Sequence, residues 1–433
     1  MLKNPKTIPI VLSVIIVILA GTLVALLIFM KNQPLQTRGV PNLIEIAAME
    51  PDSSVWGVNF PNQYTTFLRT ETNNARTPYG GSDPVQKLDV DPRLRTLFAG
   101  MAFSKDYKED RGHRWSLTDV RETGRVNEKT PGTCYSCKSA NTPMLWAEMG
   151  AAEFARTPFM ELGKQIDQPI GCANCHEAGS MRLIVTNPAL EAALQAQGKD
   201  WRTFTRQEMR TVVCANCHVE YYFAGEGKLL VFPWSKGTSI EKIEEFYNEI
   251  GFSDWTHAES GASMIKMQHP EYELYSAGST HFNAGVSCAD CHMPYTRDGA
   301  VKFSTHNVHS PLLNPAASCG TCHTNVDYVV GRVTAIQNQV WVTMSASEDA
   351  LVEAIAAIKT AAETSGADPQ LIEEARALHR AAQLRWDFIA AENSMGFHNP
   401  EEALRILAAA TDLARQAQLK AVQAVSTPQS ASR

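Results

Sequence analysis

The chain has 433 residues, 44% of them apolar and 20% charged, with a net charge of −7. That length suits one large or two moderate domains, and the acidic balance gives no support to nucleic-acid binding. All ten cysteines fall in five Cys-x-x-Cys units, so none is left over for a separate disulfide framework.

The first element is apolar. Ile8 to Met30 holds only Ser13 and Thr22 as weakly polar exceptions, with Lys3 and Lys6 before it and Lys31 after it. A helix of that length spans roughly 30 Å of hydrocarbon. It exceeds the usual core of a signal peptide, and no small-x-small cleavage site follows. Residues 1–31 are therefore expected to be an N-terminal membrane anchor, with a cleaved signal as the alternative. Residues 32–60 read as an extended tether marked by Pro34, Pro41 and Pro51.

Residues 61–335 carry the chemistry. Four units read Cys-x-x-Cys-His: Cys172/Cys175/His176, Cys214/Cys217/His218, Cys288/Cys291/His292 and Cys319/Cys322/His323. The first unit ends in lysine: Cys134/Cys137/Lys138. Cys-x-x-Cys-His attaches a c-type haem, with both thiols bonding the porphyrin and the next side chain reaching the iron. Neither zinc nor a disulfide requires the same histidine after every pair. Five covalently bound c-type haems follow, and attachment of such haems outside the cytoplasmic membrane puts the bulk of the chain on the periplasmic side. Helices are expected over 142–155 and about 239–250, the second with Thr238 as cap and Glu241 at the capping-box offset.

After about Val340 the composition turns rich in Ala, Leu, Glu and Gln. Helical stretches are predicted over 347–364 and 370–393, with a third opening at Asn399-Pro400-Glu401-Glu402. Leu371, Ala375, Leu378, Ala382, Trp386 and Ile389 step at helical spacing. Residues 336–424 thus form a long-helix region whose spare apolar face suits a dimer interface, and 425–433 reads as a frayed tail. The fold class expected is mainly α, a multihaem cytochrome c with long C-terminal helices and few short strands.

Twelve histidines exceed the four that follow cysteine pairs. The remaining eight are His113, His257, His269, His281, His306, His309, His379 and His398. Four electron-carrying haems need four distal ligands, and this pool supplies them with several to spare. His379, among charged neighbours on a predicted helix, reads as solvated. The lysine-bearing haem is the odd site. If no side chain takes its open face, a small anion that receives electrons and protons can bind there. Such an anion needs positive charge and acids around it. Arg125, Tyr221 and His269 are the candidates. A solvated charge, a core tyrosine and a helix-end histidine are their plainer readings.

The ordered set of motifs resembles the pentahaem cytochrome c nitrite reductases, which form ammonia. The residues carrying the resemblance include Cys134-Tyr135-Ser136-Cys137-Lys138, Cys214 through Phe223, Ser253-Asp254-Trp255-Thr256-His257-Ala258 and Lys266-Met267-Gln268-His269-Pro270-Glu271-Tyr272-Glu273. Arg111-Gly112-His113, Thr118 through Thr123, Cys288 through Pro294 and Phe397-His398-Asn399-Pro400 complete it, over residues 55 to 420.

That resemblance implies six-electron reduction of nitrite at a haem whose proximal ligand is Lys138, with Arg125, Tyr221 and His269 around it. It implies a calcium held by Glu220, Tyr221, Lys266 and Gln268, the middle two through backbone carbonyls. It implies distal ligands His113, His281, His306 and His398 for the third, fifth, second and fourth haems. It further implies a homodimer through the long helices and a membrane-bound, quinol-oxidising multihaem cytochrome c as electron donor. Arg121 is the rival of Arg125, and His309 of His306. Met264 and Met267 read as packing rather than as iron ligands. A multihaem reductase of sulfite or hydroxylamine, and a pure electron-transfer cytochrome, are the competing functions.

Overall fold

The computed structural model describes residues 7–32, 42–109 and 111–426. The chain divides into two compact units, Met1–Glu45 and Ile46–Arg433. The first contains one 26-residue helix, Thr7–Asn32. Its side chains are described over 13–26 and are exposed throughout. Among the described residues no helix is long and apolar enough to cross a membrane. Of the anchor expected over Ile8–Met30, the backbone is described throughout and the side chains over 13–26 alone.

The second unit begins sooner than the expected tether allows. Asp52 caps a helix over Ser53–Asn59, its Oδ1 accepting from Ser54 N at 2.8 Å. Pro61 opens the next, Pro61–Thr72. Trp56 is only 1% exposed, which pins this start of the chain into the fold. From there to residue 325 the backbone alternates single helical turns, short helices and loops, with four two-stranded antiparallel sheets among the described residues. The helix expected over 142–155 is two helices, Thr142–Met149 and Ala151–Arg156. They part at Gly150, whose φ of +79° no helix accommodates. The helix Ile240–Glu249 is capped by Ser239 rather than Thr238, because Ser239 is the residue with extended backbone next to the first turn.

Three long helices follow: Val326–Glu363, Pro369–Ala390 and Pro400–Ser426. The first starts well before 347 and runs through Gly331, whose cost of about 1 kcal/mol in a helix interior is outweighed by a buried stripe from Val333 to Ala361. Leu351, Ile355, Trp386, Ile389, Ile406 and Leu407 lock the three helices together. Phe98, Leu97, Tyr247 and Met267 from the preceding region join the same core, so the helices and the cysteine-bearing region form one unit.

Candidate functional site

Each cysteine pair sits on one tight turn. Cys175 N donates to Cys172 O at 3.1 Å, Cys217 N to Cys214 O at 3.1 Å and Cys322 N to Cys319 O at 3.1 Å. The following histidine closes the turn, His218 N to Cys214 O at 2.9 Å and His323 N to Cys319 O at 2.9 Å. A three-residue step of this kind eclipses side chains at i and i+3, so both thiols leave the backbone on one side. All ten cysteines are free of disulfides. Among the described residues no group of three or more His, Cys, Asp or Glu is arranged to hold a metal ion directly.

The turns lie close together. The Cys137 thiol contacts the Cys217 thiol, and Cys214 contacts Cys288. Cys291 lies within electrostatic reach of Cys319 and Cys322, and Cys175 of Cys217. The motifs therefore run first, third, fourth, fifth, with the second beside the third. Burial pushes the Cys134 thiol up to about 11 and the Cys175 thiol up to about 12.

Histidines far apart in sequence meet as pairs. Ring centres are 6.2 Å apart for His176 and His306, and 6.3 Å for both His281–His323 and His292–His398. An iron between two imidazoles stands about 2 Å from each nitrogen, the usual first-row length, which with about 1.2 Å from nitrogen to ring centre gives roughly 6.4 Å. The pairs thus have the spacing of axial ligands, one that His218 and His269 also share at 6.4 Å, so spacing alone does not select the ligands. His306 rather than His309 faces His176, while the His309 carbonyl accepts from His292 Nδ1 at 3.0 Å. His113 lies deep beside His218 and Lys138, and burial lowers it to about 4. His218 keeps 46% of its side-chain surface accessible.

Around the first motif, Arg125 and Tyr221 both lie within electrostatic reach of the Cys134 thiol, and Arg125 of Tyr221. Arg125 Nε donates to Thr123 Oγ1 at 3.1 Å, and its guanidinium lies 4.1 Å from the Phe103 ring centre. Asp106 holds that turn, accepting from Gly124 N at 2.6 Å and Thr123 Oγ1 at 2.9 Å. Arg121 instead donates to the carbonyls of Ile166 at 2.6 Å and Gly163 at 3.2 Å. The Lys138 carbonyl accepts from Ser116 Oγ at 2.8 Å. Burial raises the Tyr221 phenol well above its ordinary value. His269 stands 6.4 Å from His218, ring centre to ring centre, and Glu271 lies beside both rings.

The expected calcium ligands also converge. Glu220 is fully buried, accepting from Tyr247 Oη at 2.7 Å and Gln268 N at 2.7 Å. Gln268 Nε2 lies 3.0 Å from the Lys266 carbonyl. The Lys266 side chain turns away to Asp387, Nζ to Oδ1 at 2.9 Å, over the rings of Phe98, Phe103 and Tyr107. Met264 and Met267 are buried packing residues. Sequence reasoning missed Asp106, Phe103 and Asp387, since each acts through a partner distant in the chain.

His379 is not solvated. It is fully buried, bonded to Ser260 Oγ at 3.1 Å and Gln383 Oε1 at 3.0 Å, with His257 at 5.2 Å between ring centres. Its neighbours Arg376 and Arg380 are themselves drawn onto the fold, donating to the Ser260 and Ser263 carbonyls at 2.7 and 2.9 Å, so charge nearby in sequence did not mean solvent.

Comparison with known proteins agrees with this architecture. The family model for cytochrome c552 matches residues 52–432. The cytochrome c-552 of Parabacteroides distasonis is 42% identical, over 87% of this chain and 77% of its own length. That of Aliarcobacter butzleri is 35% identical over 94% of this chain and 84% of its own. The catalytic subunit of the cytochrome c nitrite reductase from Desulfovibrio desulfuricans, described for its two calcium sites, superposes with a TM-score of 0.85 at 34% identity, over 88% of each chain. The chain belongs to the cytochrome c552 family.

Proposed function

We propose that the protein reduces nitrite to ammonia, taking six electrons, at the haem on Cys134, Cys137 and Lys138. The observation that carries this is the break in the motif series. Four motifs end in histidine and one in lysine, and Arg125 and Tyr221 gather at that one. When bound, the haem supplies electrons and an open coordination position.

The chain's own residues do the rest. Lys138 would hold the proximal side through its neutral amine. Arg125, steadied by Thr123 and Phe103, donates hydrogen bonds to the nitrite oxygens. Tyr221 stays protonated and is therefore a donor as well. His269 delivers protons.

Glu220, the Tyr221 and Lys266 carbonyls and the Gln268 amide oxygen would hold calcium. A carboxylate with neutral oxygens is the hard donor set that ion takes. Burial raises Glu220 well above its ordinary value, and a dication beside it would restore the carboxylate. His176/His306, His218/His113, His292/His398 and His323/His281 would ligate the four relay haems. Their motifs form a continuous series ending at the first.

The desulfuricans enzyme, which shares the fold over most of both chains, supports the substrate. The rest of the reading is a homodimer through the long helices. It also places the protein on the periplasmic side of the membrane, held by Ile8–Met30 and fed by a quinol-oxidising multihaem cytochrome c. The test is reduction of nitrite by the purified protein with a chemical electron donor. Ammonia should appear stoichiometrically; nitrite left unconsumed while all five haems cycle would mark a pure electron carrier.

A further inference from the structure

The histidines proposed as axial ligands differ in what holds their second nitrogen. His176 Nδ1 meets the Met181 carbonyl at 3.0 Å, His292 Nδ1 the His309 carbonyl at 3.0 Å, and His306 Nδ1 the Ser304 carbonyl at 2.9 Å. These are neutral partners. His398 Nδ1 instead meets the Glu392 carboxylate, at 3.1 Å from Oε2. His218 has a carboxylate nearby too, but Glu271 Oε2 is 3.7 Å from its Nδ1, beyond hydrogen-bond range.

The Glu392 side chain has no exposed surface, so water does not screen its charge. Two backbone donors hold the carboxylate in that setting. Gly396 N reaches Oε1 at 2.6 Å and Ser394 N reaches Oε2 at 2.9 Å. The loop is shaped for this. Met395 and Gly396 both take left-handed backbone, with φ of +52° and +74°. A Cβ at Gly396 would meet Val340 side-chain atoms at 2.8 Å. Ser394 Oγ then accepts from His398 N at 2.8 Å, closing a ring of bonds between the carboxylate and the imidazole it faces.

We infer that Glu392 is a positioning residue that lowers the reduction potential of the haem on Cys288, Cys291 and His292 by acting through His398. This rests on the reading of His292 and His398 as that haem's axial pair, which their 6.3 Å ring spacing supports. A carboxylate accepting from the outer nitrogen makes the inner nitrogen more basic toward iron. Unscreened negative charge also favours the ferric state, which carries one more positive charge than the ferrous. The carbonyls at His176, His292 and His306 lack that net charge. The fourth motif meets the third at Cys214 and Cys288, and its Cys291 lies within electrostatic reach of Cys319 of the fifth. A haem of lowered potential there would hold its electron less tightly than its neighbours.

The test is a spectropotentiometric titration of the intact five-haem protein, followed by electron paramagnetic resonance. Glu392→Gln keeps the hydrogen bond and removes the charge. One low-spin haem should become at least tenfold easier to reduce, a rise of ~59 mV for one electron, with the other four unmoved. Glu392→Asp keeps the charge but withdraws the acceptor by a methylene, and should raise the same potential less. Five unmoved potentials in a fully loaded Glu392→Gln protein overturn the inference. So does failure of both variants to load haem, which would make Glu392 a folding residue. A His398→Ala control separates the underlying reading: a new high-spin haem supports His398 as ligand, and unchanged coordination overturns the ligand assignment itself.

Discussion

Arg121 and Arg125 share a side chain and one short stretch of sequence, yet their surroundings divide their roles. Arg121 is committed to the carbonyls of Gly163 and Ile166, whereas Arg125 stands by the Cys134 thiol on a turn fixed by Asp106. Arg125→Ala should therefore cut turnover about 10²–10³-fold, the usual loss for one donor to a developing oxyanion. Arg121→Ala should leave turnover per folded molecule intact and cost roughly 1–2 kcal/mol of stability, the worth of its carbonyl bonds. Steady-state rates and denaturant midpoints on both variants check this, and the reverse pattern would exchange their roles. Lys138 gives a second expectation. Lys138→Ala should keep the haem attached through Cys134 and Cys137 while turnover falls. An unchanged spectrum with unchanged activity would remove Lys138 from the iron.

Elements explain both what was legible and what was not. The haem turns could be read because covalent attachment needs contiguous residues. The facing histidines could not be derived from spacing: His306 reaches His176 from another loop altogether, so only the family resemblance named it. Long helices announced themselves by composition, but the start at Val326 did not, since packing rather than propensity carries the helix past Gly331. The segment Lys266–Glu271 is positioned by Asp387 below and Glu220 above, Met267 N meeting Asp387 Oδ2 at 2.8 Å. Removing Glu220 should loosen it from above. Glu220→Ala should lose calcium measured by metal analysis and lower activity, whereas full calcium retention would rule out that ligand set.

The helix Pro369–Ala390 carries a further consequence through His379. Burial lowers it to about 3 and also lowers its neighbour His257, near which Glu259 exerts the opposite pull. Both are neutral in the fold, while the unfolded chain takes up protons below about 6.5. The contribution of His379 is present above that value and is lost as pH falls toward about 3, by up to ~1.4 kcal/mol per pH unit, and His257 acts in the same direction. His379→Gln should flatten the fall in stability between pH 7.5 and 5, read by denaturant unfolding. An unaltered slope would show that other histidines carry it.

At the scale of the whole molecule, the chain divides at Glu45 and Ile46. Everything assigned to chemistry lies beyond that boundary, and so does every core cluster found among the described residues. The helix Thr7–Asn32 displays Val14, Ile16, Val17, Ile18 and Leu19, each more than half exposed. Leaving such side chains in water forgoes about 1.5–3 kcal/mol each, a strong drive toward any apolar phase that covers them. Deleting residues 1–45 should therefore spare the fold, the five haems and nitrite reduction. It should abolish co-sedimentation of the protein with membranes, which the full chain should show. The comparison needs both proteins exported, since haem attachment takes place outside the cytoplasmic membrane. A shortened protein that loads five haems but still sediments with membranes would move the anchoring surface onto the catalytic unit. One that fails to load them would give the first unit a part in maturation.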